Sequence, residues 1–367
     1  MGSVDTCQLR IDTCLLHWTP VARIRTVDIA REAGVSRATV SYVLNDRRDA
    51  QVSESTRDHV REVARRLGYI SSPAANALRR GRGDVVLLLV PDWEVGGQLE
   101  LLLEEIGQLV SQYGLVAVRY EGPHWQGALD RLLGKVEAAC VVTFDPLGDV
   151  DAGALRAAGV PEVGAWILDR TDRTRATAIG QADIVEAQLT HLLEQGYERI
   201  AYLAIEEPRG RPFVASRVAA FRAFCRERGV DGSAVAVVER DVRQIEDVLR
   251  TWTTKAPGPW GVASWNDITA LGVLTAAASM GLRSPEDLGV IGGDDTTVAA
   301  FSSPPLSSVR FNLQAEGRGI AARVGNSIGL RIPPGPTDSG IVEVIPRSST
   351  APSASRPAAG SRDERPA

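Results

Sequence analysis

The sequence predicts a small all-α helix-turn-helix domain followed by a larger α/β body with doubly wound parallel sheets. Three observations support this fold class: two short helical patterns joined at a glycine within residues 26–45, a regular alternation of strand and helix patterns after Asp84, and a length of 367 residues. That length exceeds one ordinary core and favours two or three domains. An apolar content of 44% is sufficient for globular folding.

The segment TVDIAREAGVSRATVSYVLN, residues 26–45, predicts two short helices joined by a tight turn. Gly34 lies where the chain turns sharply, and Ser36 is a suitable N-cap for the second helix. A third helix follows and is capped by Ser53. The predicted core residues of the first and third helices are Val27, Ile29, Ala30, Ala33, Val60, Val63, Ala64 and Leu67.

This pattern places the second helix in the DNA major groove. We expect base contacts from its outer face and phosphate contacts from the residues after it. The predicted DNA-binding residues of this region are Thr26, Arg37, Ala38, Thr39, Ser41, Tyr42 and Asn45. The alternative is a surface helical hairpin with no role in DNA binding.

The charge is distributed unevenly along the chain. Residues 21–83 carry a net charge of +6, whereas the remainder carries −11. A basic module on an acidic body indicates that only the module contacts nucleic acid. The alternative interpretation is a solvated, charged helix face.

Cysteine usage and hydropathy restrict the compartment and the chemistry. The four cysteines form no CxxC pair, which is typical of a reducing cytoplasm without a zinc site. No apolar stretch is long enough for a transmembrane helix. We expect no cofactor and no metal. Residues 1–23 are predicted to be a disordered extension and residues 349–367 a disordered tail.

After Asp84, apolar strand patterns alternate with amphipathic helix patterns, as in a parallel sheet covered by helices. Strands are predicted at residues 85–90, 115–118, 140–144, 163–168, 200–204, 234–238, 260–263 and 289–292, and helices at 99–110, 184–195, 216–228 and 268–280. Such a body exceeds a single core and favours two lobes. Ligands of these folds bind at the carboxyl ends of strands, often between lobes.

The segments VDIAREAGVSRATVSYVLN, VSESTRDHVREVARRLGY and AANAL resemble the lactose-repressor/galactose-repressor (LacI/GalR) family of bacterial transcription regulators. The resemblance covers about residues 24–350 and implies a periplasmic-binding-protein-like body with two lobes, 84–189 plus 313–340 and 190–310 plus the final strand. It implies a DNA-binding domain at 24–69, a hinge helix at 70–83 and an effector-binding and dimerisation domain at 84–348. In the hinge, Ala75 and Leu78 would enter the minor groove.

The resemblance also implies a ligand contact at Arg217, whose planar guanidinium suits paired oxygen acceptors. Asn266 and Asp294 follow strands, where an amide or a carboxylate can bind a sugar hydroxyl. Trp93 and Trp265 lie at strand ends and could stack on a sugar ring. Each residue also has a structural alternative. Arg217 could be a surface arginine, Asn266 a helix cap and Asp294 a cap or Asx-turn residue. The two tryptophans could pack between the lobes.

Several positions depart from the family pattern. The hinge has Ser71-Ser72 before Pro73, the loop DWEVGG follows the first strand, and Gly293 stands where an aromatic residue is frequent. These departures remove the residues that would identify a ligand.

The leading interpretation is a homodimeric repressor that binds an inverted-repeat operator and responds to a small metabolite, such as a sugar or a sugar derivative. The alternatives are a transport receptor, an enzyme, and a regulator whose pocket is degenerate and whose activity is controlled by a protein partner. The helix-turn-helix argues against a receptor. The sequence contains no GxSxG, Walker or HExxH motif, which argues against an enzyme.

Overall fold

The computed structural model describes residues 24–45, 47, 50–69, 81–92, 97–121, 127–168, 172, 174–334 and 342–350. The chain divides between Asn76 and Ala77 into two compact units. The predicted contacts Ala75, Leu78 and Trp93 lie outside the described residues, as do most of the predicted hinge, the predicted extension 1–23 and residues 351–367 of the predicted tail.

The N-terminal unit contains the helices α1 (Thr26–Glu32), α2 (Arg37–Leu44) and α3 (Glu54–Arg66). Its apolar core is formed by Ile29, Ala30, Ala33, Val40, Val43, Val60, Val63 and Ala64. Gly34 has a φ of 65°, and the hydroxyls of Ser36 and Ser53 accept hydrogen bonds from Thr39 N and Thr56 N. The predicted turn and both predicted caps are confirmed.

Two details of this unit were not predicted. Val27 was expected in the core but is 45% exposed, because it follows the first residue of a short helix whose inner face begins at Ile29. Arg57 is buried, and its guanidinium donates to the carbonyl oxygens of Arg47, Ala50 and Val52. Arg57 therefore fixes the segment between α2 and α3 through its backbone.

The first lobe of the C-terminal unit consists of four parallel strands and the helices that cover them. Its elements are β1 (Val85–Val90), α4 (Gly97–Ser111), β2 (Val116–Glu121), α5 (Leu129–Leu133), β3 (Ala138–Thr143), α6 (Asp149–Ala158), β4 (Glu162–Gly164) and α12 (Leu313–Ser327). The strand order is β2-β1-β3-β4. Ile320, Ala321 and Val324 of α12 join the core of this lobe although they come late in the chain.

The second lobe repeats this architecture. Its elements are α7 (Gln181–Glu194), β5 (Arg199–Ile205), α8 (Arg211–Arg228), β6 (Val235–Val238), α9 (Val242–Lys255), β7 (Trp260–Ser264), α10 (Asp267–Ser279), β8 (Leu288–Ile291), α11 (Thr297–Phe301), β9 (Ser308–Phe311) and β10 (Val342–Ile345). The parallel strand order is β6-β5-β7-β8. Strands β9 and β10 form a separate antiparallel pair.

The chain passes between lobes after β4, after β9 and after α12. Helix α7 was expected mostly in lobe one, but Ile184, Val185 and Leu189 pack in the core of lobe two. The predicted strand 163–168 ends at Gly164. Helices α5, α6, α9, α11 and α12 and strand β9 were not predicted. Ser349, placed in the predicted tail, is buried and donates to Val290 O, so lobe two continues to the end of the described chain.

We expect Ile29→Ala to destabilise the N-terminal unit by about 2–4 kcal/mol, because it removes a fully buried side chain and leaves a cavity. Val27→Ala is the matched control on the same helix and should change stability by less than about 0.5 kcal/mol. The free energy of unfolding of both variants is measured by urea titration, with unfolding detected as proteolytic cleavage within residues 24–69. Equal destabilisation by the two variants would contradict this assignment of the core.

Candidate functional site

The outer face of α2 presents the predicted base-contacting residues to solvent. Arg37, Ala38, Ser41 and Tyr42 are exposed, and Tyr42 is exposed by 40% despite its large ring. Thr39 is less available, because its hydroxyl lies 2.9 Å from Ser36 Oγ in the helix cap. The face therefore offers a guanidinium, a methyl, a hydroxyl and a phenol, which are groups that suit the major groove.

Two further predicted contacts lie at the edges of this face. Asn45 follows α2 and donates from Nδ2 to Ser41 Oγ over 3.1 Å. Thr26 is the first residue of α1 and is partly exposed. Both therefore flank the recognition helix rather than belong to its outer face.

Within the C-terminal unit, a cavity lies between the two lobes, beside the segments that cross between them. Its volume is about 80 Å³, measured as the space open to the centre of a water molecule, within about 570 Å³ of empty space that includes open solvent. Both lobes contribute to its walls. The lining residues are Gln98, Leu99, Leu102, Ile167, Thr177, Ile179, Gln181, Ile184, Phe213, Arg217, Asp294, Phe311, Leu313 and Glu316. A smaller recess is lined by Phe213, Arg217, Trp265, Asn266 and Asp294.

Arg217 is held at the lobe-two end of this cavity. It projects from α8 with 6% exposure, and its Nε donates to Gln181 Oε1 over 2.8 Å. Its Nη1 donates to Trp265 O. A Cβ atom at residue 293 would lie 3.3 Å from Nη1 and 2.9 Å from Trp265 O. The glycine found there, unusual for the family pattern, therefore leaves the space that Arg217 occupies.

Asn266 is the N-cap of α10. Its Oδ1 accepts from Thr269 N and from Thr269 Oγ1, both at 2.8 Å. Asn266 therefore caps a helix, which was the alternative to a role in ligand binding. It also lines the recess. Capping occupies its oxygen, and no hydrogen bond among the described residues engages its amide nitrogen.

Asp294 follows β8 and is partly buried. Burial raises the pKa of its carboxyl to about 7, while Arg217 opposes the shift and Asp267 adds to it. A carboxyl with this pKa exchanges its proton near neutral pH and can act as either an acceptor or a donor. Asp294 can therefore adjust its protonation to a bound group.

The buried Trp265 packs in the core of lobe two, with 7% exposure, and contributes an edge to the recess. Sequence reasoning missed Gln181, Gln188 and Asp267. Gln188 Nε2 donates to Ser264 O and Gly292 O, and Asp267 accepts from the backbone N–H groups of Gly293, Asp294 and Thr296. In the sequence, only Asp267 could have been recognised, because it follows Asn266 at the point where a predicted strand gives way to a predicted helix.

Two contacts cross the cavity mouth from lobe to lobe. Gln98 Nε2 donates to the backbone oxygen of Asp294 over 2.7 Å. Arg209 Nη1 lies 3.1 Å from Asp92 Oδ1. Contacts of this kind depend on the angle between the lobes, so a ligand that changes the angle alters them.

In the described part of the chain, no group of three or more His, Cys, Asp or Glu side chains is arranged to hold a metal ion. Over the same residues, no helix has the length and apolar character needed to cross a membrane.

A helix-turn-helix unit together with a two-lobed, periplasmic-binding-protein-like body defines a class of DNA-binding transcription regulator. Residues 27–72 match the model of bacterial regulatory proteins of the lacI family, and residues 189–350 match that of the periplasmic binding protein-like domain. The transcriptional regulator MalR of Streptomyces coelicolor is 31% identical over 345 residues, covering 89% of this chain and 96% of its own. The chain belongs to the LacI family of transcriptional regulators and is not an enzyme.

Solved structures agree with this fold. A lac repressor dimer bound to operator and the anti-inducer ONPF superposes with a TM-score of 0.69 at 23% identity, covering 90% of this chain and all of that one. A complex of the regulator CelR with cellobiose gives a TM-score of 0.57 at 25% identity, covering 89% of this chain and all of that one.

The raised pKa of Asp294 has a consequence for stability. Between the unfolded-state pKa near 3.8 and the folded-state pKa of about 7, the folded state holds the extra proton. Stability contributed by the neutral carboxyl is therefore lost as pH rises through this window, by about 2–4 kcal/mol in total.

We expect Asp294→Asn to become progressively more stable than the wild type between pH 5 and pH 8, because the amide never has to ionise. Differential scanning calorimetry of both proteins at several pH values measures the difference in Tm. Asp241→Asn, which changes an exposed helix cap, is the control and should show no such trend. A constant difference in Tm across this range would show that Asp294 ionises normally.

Proposed function

We propose that the protein is a homodimeric repressor that binds an inverted-repeat operator through α2 and responds to a small molecule in the cavity between its lobes. The exposed face of α2 above a complete three-helix core is the observation that supports DNA reading most directly. In a dimer, two such helices related by a two-fold axis would read two half-sites.

On this proposal, Arg37, Ala38, Ser41 and Tyr42 contact base edges, and Thr39 acts mainly through its methyl group. Thr26 and Asn45 flank the helix and are suited to phosphates. Ala75 and Leu78 would act at the centre of the operator, where an apolar side chain wedged between base pairs bends the duplex.

The cavity would couple ligand to DNA through the angle between lobes. Ligand binding would alter the Gln98 contact to Asp294 and the Arg209 pair with Asp92. In the sequence, the proposed hinge segment 70–83 directly precedes lobe one. A ligand that binds only one lobe angle shifts the equilibrium toward it, and operator affinity shifts with it. Either induction or corepression is compatible with this coupling.

The proposed domain organisation has a DNA-binding domain at 24–69, a hinge at 70–83 and an effector-binding domain that ends near residue 350. We place the protein in the cytoplasm, where its DNA lies. The family resemblance and the cellobiose complex of CelR favour a sugar as the effector. The lining of this cavity, which is mainly apolar, favours a different class of molecule.

We expect Arg37→Ala to weaken binding to a selected operator by about 1–3 kcal/mol, because one base contact is lost. Binding to random DNA should weaken much less, since phosphate contacts remain. Fluorescence anisotropy with an inverted repeat selected from a random pool, at fixed salt, measures both affinities.

Arg226→Ala is the control, because this exposed arginine lies on α8 in the other unit. It should leave both affinities unchanged. If Arg37→Ala reduced binding to the operator and to random DNA by the same factor, α2 would not be the reading helix.

A further inference from the structure

Three side chains at the lobe-two end of the cavity have their hydrogen-bonding orientation fixed by the protein. Gln181 must present Oε1 to Arg217, because Arg217 Nε can only donate. Asn266 must present Oδ1 to the backbone N–H of Thr269. Arg217 also uses Nη1, on Trp265 O. These partners settle both amide orientations, which atom positions alone do not determine.

Among the residues that line this end of the cavity, the side-chain atoms left over are mainly donors, whereas the unpaired Gln188 Oε1 belongs to a buried residue outside the lining. Across the described residues, Gln181 Nε2 and Asn266 Nδ2 have no hydrogen-bond partner within the protein, and both residues line the cavity or its recess. Arg217 adds the rest of its guanidinium, which also interacts with the Tyr202 hydroxyl. Structural contacts have already taken the acceptor oxygens of Gln181 and Asn266. A bound group at this end must therefore bring acceptors of its own.

Asp294 is the carboxyl group that lines this end of the cavity, and its charge would oppose an anionic ligand. Its pKa of about 7 means that it takes up a proton readily when another negative group approaches. The charged and titratable groups around it are Arg217, Asp267 and Tyr202, with Glu316 elsewhere on the cavity wall. Protonated Asp294 becomes a fourth donor to the same group.

The rest of the described wall is mainly hydrocarbon. Leu99 and Leu102 come from lobe one, and Ile184 and Phe213 from lobe two. Ile167 and Phe311, beside the crossing segments, close the cavity between them. Gln98 has its amide nitrogen committed to Asp294 O and keeps one acceptor oxygen. A polyol would bury hydroxyl groups against these side chains without partners, at a cost of about 1–3 kcal/mol each.

We propose that the effector is a monocarboxylate with an aromatic or branched hydrocarbon body, its carboxylate bound by Gln181, Arg217 and Asn266. This inference rests on the proposed function, in which the cavity holds a small-molecule effector. The carboxylate oxygens accept from the three donors, and the hydrocarbon body lies against Leu99, Leu102, Ile184 and Phe213. The site thus selects for an acid at one end and for apolar surface at the other.

Isothermal titration calorimetry of the full chain with three probes tests this ligand class. The first probe is 3-phenylpropionate. The second, 3-phenylpropan-1-ol, keeps the body and lacks the carboxylate. The third, D-gluconate, keeps the carboxylate and carries hydroxyl groups instead of the apolar body. We expect 3-phenylpropionate to bind at least about tenfold more tightly than either of the others.

Gln181→Glu tests the position of the carboxylate. This isosteric change keeps an oxygen for Arg217 and replaces the N–H donor by a second acceptor. We expect at least about a tenfold loss of 3-phenylpropionate affinity with no loss of thermal stability. Asn266→Ser, which retains a capping oxygen, should also weaken binding.

The matched control is Gln314→Glu. Gln314 is exposed, accepts from Arg318 at 3.4 Å and does not line the cavity, so the variant adds the same charge elsewhere. Its affinity for 3-phenylpropionate should equal that of the wild type. An equal loss in Gln314→Glu and Gln181→Glu would overturn the placement of the carboxylate.

Tighter binding of D-gluconate, equal binding of the alcohol, or no binding of 3-phenylpropionate would each overturn the proposed ligand class. None of these results bears on operator binding, which the anisotropy assay measures separately. Conversely, if 3-phenylpropionate bound through Gln181 without changing operator affinity, the ligand class would stand and the proposed effector control would fail.

Discussion

The end of lobe two that lines the cavity depends on one buried carboxylate. Asp267 is fully buried at the first residue of α10, where the helix N-terminus favours negative charge. It accepts hydrogen bonds from Gly293 N, Thr296 N, Thr296 Oγ1 and Ser308 Oγ, at distances between 2.5 and 3.1 Å. A buried carboxylate without partners would be strongly destabilising, so this set of neutral donors is what allows it to lie there. Asp267 thereby ties the segment after β8 to the start of α10 and to β9.

The other features of the site follow from that arrangement. The segment after β8 carries Asp294 and Gly293, and the close approach of Asp267 requires glycine at 292, where a Cβ would lie 2.1 Å from Oδ1. With Gly293 in place, Arg217 reaches Trp265 O and Gln181. The donors at the end of the cavity are therefore positioned before any ligand arrives, which reduces the cost of ordering them on binding. Because Gln98 of lobe one bonds to the backbone of Asp294, the same segment also senses the position of the other lobe.

Most of the fold and part of the candidate site could be predicted from the sequence. The features that could not be predicted depend on contacts between residues distant in the chain or on mixed local patterns. The helix-turn-helix was predictable because its turn glycine and serine caps are local signals, and the strands of both lobes were predictable from continuous apolar runs. Helix α9 was missed although Ile245, Leu249 and Trp252 are spaced to bury one face, because charged residues dominate the segment. The roles of Gln181 and Gln188 were not predictable, since a glutamine gains a role only when folding brings it to Arg217 or to strand ends distant in the chain. Arg217, Asn266 and Asp294 were predicted as ligand contacts, and the structure places all three around the cavity.

The most direct test of this account is amide hydrogen exchange at Gly293 and Thr296, measured in the wild type and in Asp267→Asn. We expect strong protection of both amides in the wild type, because each donates to a buried carboxylate. In the variant an amide N–H faces these donors, so both amides should exchange about a hundredfold faster or more, while the core of the N-terminal unit stays protected. Rapid exchange at both positions in the wild type, or unchanged protection in the variant, would contradict the claim that Asp267 stabilises the end of lobe two that lines the cavity.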